Sequence, residues 1–281
     1  MFSIIYSDLY NRDNIVYSII TPVYNQEDII VKNIKSYISN TIDNFEIIII
    51  LDCCSDNTKE NVLNFFKTLQ NNNKNFIKIQ ILETIEPLFE TKCDNIGFKL
   101  AQGKYLLEIQ ADMEMTQLGY NIHLTKPFNI LDNVIAVSGR CTHNIYRSGG
   151  VGKLGMKIEK NIDELGIDRN IFYTYETCNR GPLLLDKDKV KELNYLDEKN
   201  YFMNNSDHDL MARAYILKKY ICGYVPIDFN APIADGSRKK RQHSDERNKK
   251  AFIACSKKEN KRAINIHKGK WKELRPKKYN I

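Results

Sequence analysis

The run Phe45-Glu46-Ile47-Ile48-Ile49-Ile50-Leu51 constrains this chain more than any other stretch, because the apolar residues from Ile47 to Leu51 cannot alternate between a dry face and a wet one. Such a strand needs cover on both sides, as a central strand of a parallel sheet has when helices flank it. The run is also far short of the ~20 residues needed to cross a bilayer.

Its surroundings repeat a strand, loop and helix pattern. Val16-Tyr17-Ser18-Ile19-Ile20 is a β-rich run expected to stop at Thr21-Pro22, and from Gln26 to Ile38 the residues Ile29, Ile30, Ile34, Tyr37 and Ile38 fall at helical spacing. After the isoleucines come polar residues Asp52 to Asn57 and a helix from Thr58 to about Leu69, with Asp56 or Thr58 as its cap. Ile77 to Leu82 reads as a strand, Asp94 to Ala101 as a helix closed by Gly103, and Tyr105 to Ile109 as a further strand. This alternation predicts an α/β fold with a mainly parallel central sheet and helices on both faces. Beyond Gly119 the periodicity weakens, leaving Val134 to Ser138 and Pro182 to Leu185 as strands and Asp207 to Lys219 as a helix.

In open parallel sheets the ligand lies outside the carboxyl ends of the strands. The polar strand ends Thr21 to Gln26, Asp52 to Asp56 and Gln110 to Glu114 are therefore the first candidates for chemistry. None carries a Gly-x-Gly-x-x-Gly loop, which disfavours a dinucleotide site. The 281 residues include seven cysteines, an odd number without a Cys-x-x-Cys pair, so reduced thiols are expected rather than a disulfide framework or a zinc site. The N-terminus lacks a basic start and a long apolar stretch, and a cytoplasmic location is the expectation. Charge is uneven: from Ser237 onward 17 Lys or Arg stand against 4 Asp or Glu, while the preceding residues carry 25 against 31.

Taken in order, the strand ends resemble the inverting family 2 glycosyltransferases of the GT-A fold. The matching text is Ser18 to Glu27 (Ser-Ile-Ile-Thr-Pro-Val-Tyr-Asn-Gln-Glu), Glu46 to Thr58, Asn95 to Leu107 and, much later, Asp207-His208-Asp209-Leu210-Met211-Ala212-Arg213. The resemblance covers about residues 16 to 228 and implies a Rossmann-like GT-A domain over 1–236. Its nucleotide-binding half would span about 16–115 and its acceptor half about 116–236, with a basic, partly helical segment at 237–281.

The resemblance also implies roles. Pro22 and Tyr24 would line or stack on a uracil-like ring, a contact of ~1 to 3 kcal/mol where base–aromatic stacking is effective. Asp52 would accept the base N–H and Gln110 would bond a ribose hydroxyl. Asp112, with help from Glu114, would hold Mn²⁺ or Mg²⁺, whose shell substrate phosphates and water complete. Asp207 would be the general base, Arg180 and Asp209 would contact the acceptor, and Arg238, Lys240 and His243 would close over the diphosphate. The expected activity is metal-dependent transfer of a sugar, with inversion, from a nucleotide-diphosphate donor (a UDP-sugar) to a hydroxyl on a glycan, lipid or protein.

Leu51, Cys53, Gln110 and Ser206 depart from the family pattern. The first three leave open a second reading, a catalytically inactive protein of the same fold that binds a nucleotide or glycan. A third reading gives the basic tail an anionic partner. With Trp271 and Tyr279 as its sparse aromatics, nucleic acid is not expected there, whereas peripheral contact with a membrane stays open.

Overall fold

The computed structural model describes residues 1–144, 152–154, 167–231, 253 and 277–281. In its first half, β1 (Phe2–Leu9) precedes β2 (Tyr17–Val23), α1 (Ile30–Asn40), β3 (Phe45–Leu51), α2 (Thr58–Thr68), β4 (Phe76–Thr84), α3 (Phe89–Leu100) and β5 (Tyr105–Glu108). After β6 (Glu114–Met115) come α4 (Tyr120–Ile130), β7 (Val134–Ser138), β8 (Thr142–Asn144), β9 (Gly152–Leu154), β10 (Ile171–Tyr175) and β11 (Thr177–Cys178). The remainder is β12 (Leu183–Asp186), α5 (Lys187–Glu192), α6 (Ser206–Lys218), β13 (Ile221–Tyr224), β14 (Phe229–Asn230) and β15 (Lys278–Asn280).

The central sheet runs β1-β4-β3-β2-β5-β12-β7-β13-β10-β15. Strands β4, β3, β2 and β5 are parallel neighbours, as are β7 and β13. Antiparallel β12 joins the two groups, and β1, β10 and β15 pair antiparallel toward the edges. The fold class read from the sequence therefore holds, as a mixed sheet with a parallel centre. Residues 278–280 of the predicted C-terminal segment pair with β10, so the end of the chain belongs to this sheet. No helix among the described residues is long and apolar enough to cross a membrane.

Both faces of β3 are dry. Ile47, Ile49 and Leu51 pack with Ile34 and Tyr37 of α1, Val62 and Phe66 of α2 and Leu124 of α4. Ile48 and Ile50 pack on the opposite side with Cys93 and Phe98 of α3 and Leu210 and Met211 of α6. Each such side chain contributes roughly 1.5–3 kcal/mol by leaving water. Strand β2 runs on through Pro22 to Val23 instead of stopping at Thr21. On the β5 side its ladder ends at Ile20 opposite Glu108, so Pro22 occupies an edge position, where a missing N–H is tolerated.

Several motif residues shape the backbone rather than the ligand site. Asn25 donates to Ser55 Oγ (3.1 Å) and accepts the Ser55 N–H (2.9 Å), and Thr58 Oγ1 accepts the Gln26 N–H (2.6 Å), which ties the loop after β2 to the loop after β3. Asp56, one of the two expected caps, accepts the Thr58 N–H at 3.0 Å. Buried Glu46 accepts from Ser18 Oγ (2.7 Å) and the Gln102 N–H (2.5 Å), fastening the α3–β5 turn. On α1, Asn33 donates to the carbonyls of Gln110 (3.0 Å) and Met113 (2.6 Å), Ser36 Oγ accepts the Met115 N–H, and Asn40 donates to the Met115 carbonyl. One polar stripe of α1 thus fixes the loop that follows β5.

Gly97 marks the closest approach of α3 to the sheet: a Cβ there would lie 2.5 Å from Ile20 Cγ2 and 3.3 Å from Ile50 Cδ1. Mid-helix Gly to Ala normally stabilises by ~1 kcal/mol. Here overpacking of the Ile20 contact outweighs that gain, and Gly97→Ala is expected to lower unfolding free energy by about 1–3 kcal/mol in urea titrations.

Candidate active site

A cleft of about 350 Å³ opens at the carboxyl ends of the central strands. This lies within the range of small-molecule sites and at the place that parallel-sheet topology favours. Pro22, Tyr24 and Gln26 follow β2; Gln110, Ala111 and Asp112 follow β5; Arg140 follows β7. Asn179 and Arg180 enter ahead of β12, Met203 to Asn205, Asp207 and His208 from the start of α6, and Glu90 from the first turn of α3. Of the residues expected from sequence, Pro22, Tyr24, Gln110, Asp112, Arg180 and Asp207 meet in this one cleft.

Arg180 organises it. Its guanidinium NH1 lies 2.8 Å from Asp94 Oδ2 and 3.1 Å from Glu90 Oε2, close ion contacts that are out of line for hydrogen bonds. NH2 donates to Thr91 Oγ1 (3.3 Å) and to Ser206 Oγ, and the Arg180 backbone N–H donates to Asp207 Oδ2 at 3.2 Å. Thr91 Oγ1 also donates to Ser206 Oγ (3.0 Å), so the first turns of α3 and α6 are locked together. The side chain expected to touch the acceptor is therefore committed to holding those two helices.

Arg180 faces more carboxyl groups than it can neutralise. Burial would lower its pKa, yet Glu90, Asp94, Glu108 and Asp207 together raise it far above the usual value. Burial pushes Asp94 up to about 8, against the pull of Arg180 and with the repulsion of Glu90 and Asp207. Glu108 is also raised well above the usual carboxylate range, first by burial and then by Asp94. Burial also acts on Asp207, but His208, Arg180 and the backbone N–H groups of His208 and Arg180 outweigh it and lower the pKa. Asp207 also sits in the first turn of α6, where the helix dipole favours an anion. Environments that drive neighbouring carboxyls apart separate their roles: burial favours the protonated forms of Asp94 and Glu108, while Asp207 is held toward its ionised form.

Gln110 uses both ends of its amide. Nε2 donates to Glu90 Oε1 (2.8 Å), and Oε1 accepts from Arg140 NH1 (2.9 Å), the one amide orientation that serves a carboxylate and a guanidinium at once. Beside it, Gly181 at φ +48° places its α-carbon where a Cβ would lie 2.9 Å from Gln110 Cγ. Half-buried Asp112 is raised by burial, pulled down by Arg140 and pushed up again by Glu90. Glu114, expected to help with the metal, is taken up instead by Lys32 (2.9 Å) and Asn230 (2.9 Å). Among the described residues no three His, Cys, Asp or Glu side chains gather as a cage for an ion. A lone cleft carboxylate does fit Mg²⁺ or Mn²⁺, which take most of their shell from phosphates and water.

Two expected residues stand apart from the cleft. Asp52 accepts from the Leu88 N–H (2.7 Å), Thr84 Oγ1 (3.1 Å) and the Phe89 N–H (3.0 Å), so its carboxylate caps α3 and thereby sets Glu90. Asp209 pairs with Arg213 on its own helix (2.7 Å), and Arg213 ties α6 to the carbonyls of Leu193 and Tyr195. Arg238, Lys240 and His243 lie outside the described residues. Sequence reading assigned nothing to Glu90, Arg140 or Asn179. Glu90 and Arg140 gain their meaning only when α3 and the end of β7 meet the loop after β5.

The glycosyl transferase family 2 model matches residues 18–144. No curated protein matches the chain. Among solved structures, the S. aureus TarS fragment 1-349 is 16% identical with a TM-score of 0.50, over 76% of this chain and 59% of that one. GalNAc-T7 with UDP, GalNAc and Mn²⁺ is 13% identical with a TM-score of 0.59, over 77% and 43%. The mannosyltransferase PcManGT from Pyrobaculum calidifontis, in complex with GDP-Man and Mn²⁺, is 13% identical with a TM-score of 0.56, over 86% and 65%. This chain thus spans less than two thirds of each of those chains. Family match and fold agree: residues 18–144 match glycosyl transferase family 2, and the chain has the GT-A fold of these solved glycosyltransferases.

Proposed function

We propose that the chain transfers a sugar from a uridine diphosphate donor to an acceptor hydroxyl with inversion at the anomeric carbon, and that Asp207 is the general base. The observation that carries this reading is Asp207, a cleft-wall carboxylate whose pKa is lowered while burial raises those of Asp94 and Glu108 behind it. In a single in-line displacement the acceptor oxygen bonds to the anomeric carbon as the bond to the diphosphate oxygen breaks. The acceptor proton passes to Asp207, and the negative charge leaves on the diphosphate. Asp207 receives that proton while the Arg180 and His208 N–H groups hold its two oxygens in place (3.2 and 2.9 Å).

Pro22 and Tyr24 form the wall for the base, and Asp52 is tied to it by its backbone N–H, which donates to the Val23 carbonyl (2.8 Å). Nucleoside diphosphate compounds bound to GalNAc-T7 and PcManGT support a donor of this class; uracil is preferred to guanine on the Pro22 and Tyr24 resemblance. Asp112 is the residue that would hold a divalent ion, Mn²⁺ or Mg²⁺, which when bound supplies positive charge to the departing diphosphate. The acceptor is a hydroxyl on a glycan, lipid or protein. A reducing, cytoplasmic setting belongs to this reading, on the odd number of cysteines without a Cys-x-x-Cys pair.

Asp207→Asn keeps the shape and removes the base. It is expected to lower turnover of a UDP-sugar by about 10²–10⁴-fold while UDP affinity, read by calorimetry, stays unchanged. Intact turnover in that variant would contradict the assignment, and UDP binding without release of sugar from any donor would favour the non-transferring alternative. Because the Asp207 pKa is lowered, its basic form persists as pH falls, so kcat/KM should stay level from pH 7 to pH 5. A base raised toward neutrality would instead give a midpoint inside that window, visible in initial rates across buffered steps.

A further inference from the structure

Arg140 is a cation that neither the sequence motifs nor the proposed base chemistry uses. It follows β7 directly and lines the cleft beside Gln110 and Asp112. Its backbone N–H donates to Ser138 Oγ (3.0 Å), and NH1 donates to Gln110 Oε1 (2.9 Å). Gln110 is fixed in turn by Glu90 (2.8 Å), and Glu90 by Arg180 (3.1 Å). The guanidinium is therefore anchored through one neutral hydrogen bond, with a planar fork of further N–H donors at the cleft.

The neutrality of that anchor matters. A carboxylate at position 110 would form an ion pair with Arg140, cancelling its charge, and would lie against Glu90 as a like charge. The Gln110 amide satisfies Glu90 with its N–H₂ and Arg140 with its oxygen, adding no charge of its own. Arg140 thus has no charged partner at position 110 and acts across the cleft on Asp112, whose carboxyl it draws toward the ionised form. A guanidinium so placed matches the paired oxygens of a phosphate, where Arg acts as a bidentate partner.

We propose that Arg140 is a diphosphate-binding residue of this cleft and that Gln110 keeps its charge uncancelled, so that nucleoside diphosphate binding persists without a divalent ion. This rests on the glycosyltransferase reading given above. It divides the work of the cleft: Arg140 binds the diphosphate in the ground state, and an ion at Asp112 adds to it when present.

The test is calorimetry of UDP and, separately, GDP against the full chain in EDTA and in Mn²⁺, with Arg140→Met, Arg140→Lys and Gln110→Glu alongside. Thermal melts of the free proteins confirm that each variant is folded. The expected result is that the wild type binds one of the two nucleotides in EDTA and that Arg140→Met weakens this about 10- to 100-fold, as loss of a hydrogen bond to a charged group would. Arg140→Lys should retain part of the affinity. Gln110→Glu should make binding depend on Mn²⁺, a result that a merely structural glutamine would not give. Wild-type binding that requires Mn²⁺, or an Arg140→Met variant that binds in EDTA like the wild type, overturns the inference and leaves the glycosyltransferase reading standing. Failure of both nucleotides to bind under either condition overturns the two together.

Discussion

The site depends on one buried guanidinium. Arg180 is 5% exposed and lies among Glu90, Asp94, Glu108 and Asp207, which belong to three different elements, α3, β5 and α6. A charge buried this deeply is stable only because it is paired, and removing one partner of such a group typically costs about 3–5 kcal/mol. That constraint fixes the first turns of α3 and α6 against each other through Thr91 and Ser206. With one positive charge for four acids, protons must be shared unequally among them. Asp207, helped by two backbone N–H donors and the helix start, is held toward its ionised form.

The same logic extends across the cleft. From Asp207 a chain of contacts runs through Arg180, Glu90 and Gln110 to Arg140, alternating charged groups with a neutral amide. The base end must carry a negative charge to accept a proton, and the diphosphate end must carry a positive one to hold the leaving group. Were position 110 a carboxylate, the two ends would no longer differ in this way. On the proposed role of Arg140, the departure from the family pattern at Gln110 is matched by a residue that follows β7, two strands away in the sheet.

The sequence made the parallel centre legible because its signal is local: the isoleucine run, and the helical spacing of Ile30, Ile34 and Tyr37, each describe one element. Strand β1 gave no such signal, since an edge strand with mostly exposed residues shows no dry face to alternate. Helix α4 was obscured by the internal Pro127, and β2 was cut short at Pro22 because the rule against proline in strands does not apply past the end of a neighbouring strand. At the site, motifs located Pro22, Tyr24, Gln110, Asp112 and Asp207 correctly in one cleft. They did not show which acids are tied into the fold. Asp52 and Asp209 look like site residues in the text, yet Asp52 caps α3 and Asp209 holds Arg213. Glu90, Asp94 and Arg140 were illegible for the converse reason: their partners lie far away in the chain, and only folding brings the charges together.

The central claim is that Asp207 accepts a proton from the nucleophile in a single displacement. It is tested most directly by the anomer first released when the protein hydrolyses an α-linked UDP-sugar with water as acceptor, followed by proton NMR before mutarotation. An ionised base on the cleft wall and one displacement predict that the β-anomer appears first. Initial release of the α-anomer would contradict the account, because retention requires a second displacement or a nucleophile that this arrangement of residues does not supply.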